Sequence, residues 1–73
     1  MKVQLTITPE MTDKAEEVLK DSRYLYNRLK HIDTNVWTLP EGDDEEVTRL
    51  CDGIEDQLER GGVDSDSYSF QEL

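Results

Sequence analysis

Alternating side chains near both ends of the 73 residues, with a helical repeat between them, predict a small α+β fold: a two-layer sandwich of one sheet and two helices. Residues 2–8, KVQLTIT, put Val3, Leu5 and Ile7 on one side and Lys2, Gln4, Thr6 and Thr8 on the other, as a half-buried strand does. Residues 67–73, SYSFQEL, alternate in the same way, with Tyr68 and Phe70 opposite Ser67, Ser69 and Gln71. Between them Val47, Leu50, Cys51, Ile54 and Leu58 recur at i, i+3, i+4, i+7 and i+11, which is one stripe of a helix.

The other segments follow in chain order. Thr8-Pro9-Glu10 supplies an N-cap, a proline at the first helical position and an acid in the first turn. Met11, Ala15, Val18, Leu19 and Ser22 continue at helical spacing, so a helix is expected from Pro9 to about Ser22. Residues 23–40 admit two readings. Leu25, Leu29 and Ile32 prolong the helical spacing with no Gly or Pro between them, which would give one helix from Pro9 to His31. Against this, Tyr24, Tyr26, Ile32, Val36 and Trp37 favour strand, and Asp33-Thr34-Asn35 is turn chemistry. The preferred reading is therefore a hairpin, with strands at 27–32 and 36–39. Pro40-Glu41-Gly42 closes it.

Asp43 can cap the second helix, with Glu46 three residues on and acids filling the first turn. Arg60 falls in the last turn, and Gly61-Gly62 offers the left-handed stop. Glu16–Lys20, Glu45–Arg49 and Asp56–Arg60 are i,i+4 pairs in the favourable acid-first order. Gly53 costs the helix about 1 kcal/mol relative to Ala and leaves space for a close neighbour. VDSDS, after Gly62, reads as a polar connection into the last strand.

With the hairpin the order is β-α-β-β-α-β, which resembles the ferredoxin-like arrangement in element order. With the long first helix it becomes β-α-β-α-β over three strands. The ferredoxin-like order would leave an open sheet face of Lys2, Gln4, Thr6, Thr38, Ser69 and Gln71, polar and nearly uncharged. Tyr68 and Phe70 turn to the core, so the aromatic platform on which RNA-binding domains of this fold stack bases is missing. The terminal strand falls at a sheet edge, where a partner strand or a second copy can pair with it.

Length bounds the chain to one domain, residues 1–73, near the lower size at which a chain buries enough surface to fold alone. No apolar run approaches the ~20 residues of a membrane span, and the N-terminus lacks a signal-peptide pattern, so a cytoplasmic address is expected. One cysteine excludes an internal disulfide and a multi-cysteine metal site. The formal net charge is −10, and it is segregated. Residues 41–73 hold twelve acids against Arg49 and Arg60, whereas residues 1–40 balance six acids with six bases. Such a charge argues against direct binding to nucleic acid or an anionic membrane, since phosphate contacts need Lys and Arg. Solubility and salt adaptation also produce acidity, and there are only four lysines.

No residue pattern carries a catalytic mechanism. His31 with Asp33 could orient an imidazole, but no nucleophile can be placed beside it, and an exposed turn-flanking histidine is the plainer reading. Cys51, within the apolar stripe, reads as a small inert hydrophobe. Asp64-x-Asp66 begins a calcium loop without the glycine that its sixth position requires. The four glycines match no nucleotide-binding motif. Lys20, Arg23, Arg28, Lys30 and His31, interleaved with Tyr24 and Tyr26, form the one basic cluster.

The expectation is a non-enzymatic interaction protein with no cofactor and no metal, whose partner is a protein with a basic surface. The candidate contact residues are Asp52, Glu55, Asp56 and Glu59, with Asp44 and Glu45. In its sharpest form this is an inhibitor of phage or mobile-element type, its carboxylates standing in for phosphates. The alternative is an assembly module that forms a homodimer or subunit through a sheet edge.

Overall fold

Strand β1 (Val3–Ile7) lies inside a four-stranded sheet, and its pattern decides the layers. Val3, Leu5 and Ile7 are buried under the helices, while Gln4 and Thr6 look out from the other face. The computed structural model describes residues 1–73. β2 (Lys30–Asp33), β3 (Val36–Thr38) and β4 (Tyr68–Glu72) complete the sheet in the order β2-β3-β1-β4. Every neighbouring pair is antiparallel. Leu5 pairs with Trp37 on one side and Phe70 on the other, so the three share the helix-facing side. Asn35 lengthens the β1–β3 ladder: its backbone oxygen accepts from Ile7 N–H at 3.0 Å, and its Nδ2 donates to Ile7 O at 2.7 Å.

The expected first helix begins as a 3₁₀ turn at Pro9–Met11 and continues as α1 (Thr12–Lys20). Thr8 is the extended cap residue, but its side chain makes no capping bond; instead the buried Thr12 hydroxyl donates to Thr8 O at 3.0 Å. The helix ends at Lys20 with Asp21 as its C-cap, short of Ser22, and Ser22 turns extended before a single helical turn, α2 (Arg23–Tyr26). The long-helix alternative is thus overturned. A helix from Pro9 to His31 would run about 34 Å at 1.5 Å per residue. The molecule measures 30 × 20 × 20 Å, so that helix would overhang the sheet it must cover. Breaking at Ser22 instead lays Leu25 against Gly53 of the last helix; a methyl at Gly53 would stand 3.3 Å from Leu25 Cδ2.

The hairpin is present with its first strand shifted. β2 starts at Lys30 rather than Asn27, because residues 27–29 finish the turn that leaves α2. Its second strand ends at Thr38, although Leu39 N–H still donates to Val3 O at 3.0 Å. A bulge between His31 and Asp33 breaks the β2–β3 register.

Helix α3 (Asp44–Arg60) has both of its expected ends. Asp43 Oδ1 accepts from Glu46 N–H at 2.8 Å. At the other end Gly62 sits at φ 90°, a conformation that suits glycine. Gly62 N–H bonds Glu59 O and Val63 N–H bonds Leu58 O, the paired bonds of a Schellman stop. The apolar contact of that motif is made by Val63 and Leu58, both fully buried, so Val63 belongs to the core and not to a polar connection. Gly61 lies directly on Val18, leaving no room for a Cβ. The core is closed by Val47, Leu50, Ile54 and Leu58 of α3, Ala15, Val18 and Leu19 of α1, and Trp37. No helix is long and apolar enough to cross a membrane.

Candidate functional site

The six candidate carboxylates, Asp44, Glu45, Asp52, Glu55, Asp56 and Glu59, are all exposed on α3. They do not form one uniform face. Glu45 is paired with Arg49 at 2.6 Å and Asp56 with Arg60 at 3.0 Å, while Asp44, Asp52, Glu55 and Glu59 have no basic partner.

Helix geometry, at 100° per residue, sets Asp44, Glu55 and Glu59 apart from the paired residues. Gly53, Gln57 and Gly61 mark the flank toward α1 and α2: Gln57 Nε2 donates to Val18 O at 2.9 Å, and Gly53 and Gly61 meet Leu25 and Val18. Glu45, Asp52 and Asp56 ride on the outermost ridge, with Arg49 and Arg60 displaced from it toward the Gly53 flank. The opposite flank holds Cys51, Glu55 and Glu59, with Asp44 beside them, and contains no base. The charges there confirm which strand that flank faces. Tyr68, on β4, has its hydroxyl pushed up to about 12, first by burial and then by Glu55 and Glu59. That hydroxyl is covered and has no hydrogen-bond partner. Burial likewise pushes the Cys51 thiol up, and Asp52 and Glu55 add to it. Cys51 is half-buried against the core rather than fully enclosed, and its thiolate is disfavoured.

β4 is itself an outer strand, bonded to β1 alone. Thr8 N–H donates to Ser67 O at 2.8 Å and Leu73 N–H to Lys2 O at 2.9 Å. Antiparallel bonding alternates, so Ser69 and Gln71 also turn their backbone groups to β1, and Tyr68, Phe70 and Glu72 turn theirs outward. The rings of Tyr68 and Phe70 meet edge-on beneath the helix at 6.0 Å between centroids. Asp44, Glu55 and Glu59 of α3 and the unpaired backbone of β4 therefore lie along one side of the molecule. Element order already placed the terminal strand at an edge; what sequence reasoning missed is which flank of α3 stands over it.

The other sequence candidates are dispersed. His31 is exposed and stacks on Trp37 at 4.4 Å, with Nε2 3.0 Å from Thr34 O, and Asp33 Oδ1 accepts from Thr34 N–H at 2.7 Å. The imidazole and this carboxylate thus serve the turn and not each other. Asp64 Oδ1 accepts from Asp66 N–H and the Ser67 hydroxyl, which makes it the cap of a 3₁₀ turn at Ser65–Ser67. No three His, Cys, Asp or Glu side chains converge on a point that could hold a metal ion. The basic cluster is divided: Lys20 pairs with Glu16 at 3.3 Å, and Arg28 lies over the Tyr24 ring at 4.6 Å. Tyr24 and Arg28 border an open groove of about 620 Å³, whose floor includes Leu25, Val47 and Gly53 and whose far wall carries Arg49. The sheet face away from the helices carries Gln4, Thr6, Thr38, Ser69 and Gln71 as expected, and register adds Val36 and Lys30 to it.

Comparison with family models, with curated proteins and with solved structures finds no match to this chain.

Proposed function

We propose that this chain is a non-enzymatic interaction protein, working in the cytoplasm on a ferredoxin-like scaffold, that docks the carboxylates of α3 on a basic protein surface. Charge segregation carries the proposal. All of the net charge lies in residues 41–73, and the α3 flank of Asp44, Glu55 and Glu59 holds no compensating base. Exposed like charges i,i+4 apart, such as Glu55 and Glu59, work against the helix that bears them, so the fold itself gains nothing from this placement. In its specific form the partner is a nucleic-acid-binding protein, and the carboxylates occupy the positions of backbone phosphates. Side chains at i, i+3 and i+4 stand about 5–6 Å apart, which matches that use. An inhibitor carried by a phage or mobile element would have this character.

The test is retrieval of partners from a lysate of the source organism at low and high salt, with Asp52→Asn, Glu55→Gln, Asp56→Asn and Glu59→Gln combined as the control. The proposal predicts a basic nucleic-acid-binding protein that is held at low salt, displaced by DNA, and lost with the fourfold variant. Retention unchanged by the variant refutes it. One observation supports a second reading, an assembly module: the backbone of β4 is unpaired along its outer side. That reading predicts a dimer in sedimentation that survives high salt.

A further inference from the structure

We infer that the outer edge of β4 accepts an extended, lysine- or arginine-bearing peptide segment as a fifth strand, with alternate basic side chains reaching Glu55 and Glu59 of α3. The inference rests on the reading that the acidic flank is a binding surface, and it names the form in which the partner arrives.

The two edges of the sheet differ in how open they are. β2 carries the devices that keep an edge strand from pairing: Lys30 lies on it, a bulge interrupts it at His31–Asp33, and all four residues are exposed. β4 has neither lysine, proline nor bulge, and its register with β1 is unbroken over five residues. It presents the N–H and C=O groups of Tyr68, Phe70 and Glu72 outward at two-residue spacing, which is the template that strand addition uses.

Charge selects the occupant. A strand added beside β4 alternates its side chains between the two faces of the sheet. On the helix face they arrive beside Tyr68 and Phe70, under the flank of α3 that carries Glu55 and Glu59. Lysine and arginine satisfy both surfaces there, since the stem packs on the rings and the head meets carboxylate. A second copy of this chain does not. Two β4 strands about 4.8 Å apart would bring both α3 helices to the same side of one continuous sheet, their baseless flanks facing each other. Nucleic acid is repelled by the same carboxylates.

The test uses the intact chain and a fluorescent nine-residue peptide that alternates lysine and threonine, followed by anisotropy and by amide hydrogen exchange. The expected result is saturable binding that slows exchange at Tyr68, Phe70 and Glu72 and weakens as salt rises. Methylating alternate backbone nitrogens of the peptide should weaken binding by about tenfold or more, since only a strand needs those donors. Replacing its lysines with glutamate should abolish binding. If the methylated peptide binds as well as its parent while Glu55→Gln with Glu59→Gln weakens both, the strand inference is overturned and the acidic docking surface stands. If no cationic peptide binds at low salt, both fall. Slow exchange at the three amides without peptide, together with a dimer in sedimentation, overturns the choice of occupant in favour of a second copy.

Discussion

Tyr68 concentrates two unfavourable features in one side chain. Its hydroxyl is covered without a hydrogen-bond partner, and the phenolate would face Glu55 and Glu59. A covered, unpartnered polar group costs a protein about 1–3 kcal/mol. Burial and the two carboxylates raise the phenol to about 12 in the folded chain, against about 10 in the unfolded one. Between those values the native state keeps a proton that the unfolded state has released. The stabilisation is therefore complete below pH 10 and is lost as the pH rises through 12. Thermal unfolding followed across that window should show a melting temperature that falls with pH. Tyr68→Phe should flatten the fall and leave the melting temperature at neutral pH equal or higher. An unchanged alkaline slope in that variant would remove Tyr68 as its source.

At the scale of elements, α3 shows how far local signals reach. Asp43 caps it through one exposed bond to Glu46 N–H at 2.8 Å. Asp43→Ala should therefore lower stability by about 1 kcal/mol in denaturant titration without changing the slope of the transition. A loss near zero would mean that the first turn frays in the native state. This helix was legible because spacing, cap and glycine stop are all read within a few residues of one another. Val63 was equally legible in principle: the residue after a Schellman glycine is where the motif places an apolar contact. Residues 23–35 were not, because Leu25, Leu29 and Ile32 keep helical spacing while Tyr24, Tyr26 and Ile32 favour strand. Contacts distant in sequence decide between them, namely Leu25 on Gly53 and the Leu5–Trp37 pairing. The candidate surface divides in the same way. Its carboxylates are visible in the sequence, but the direction they face depends on which strand lies beneath α3, and only the strand order supplies that.

For the whole molecule, the acidity and the fold act in opposition. The three ion pairs are all i,i+4 contacts within a single helix, and none joins two elements. Exposed pairs of this kind add little to stability. Meanwhile Glu55–Glu59 and Asp52–Asp56 are like-charge i,i+4 pairs, and Glu59 lies in the last turn, where the helix dipole favours cations. Glu55→Gln combined with Glu59→Gln should thus stabilise the isolated chain, by roughly a few tenths of a kcal/mol per relieved interaction. That gain is about 2 °C or more in melting temperature for a domain of this size. It should be largest at low ionic strength and shrink toward ~1 M salt, where the screening length falls to about 3 Å. The same two substitutions should weaken binding to a basic partner. Opposite signs in the two measurements identify carboxylates held in place for an interaction at the expense of the fold. A stability gain with unaltered binding would instead assign them to solubility.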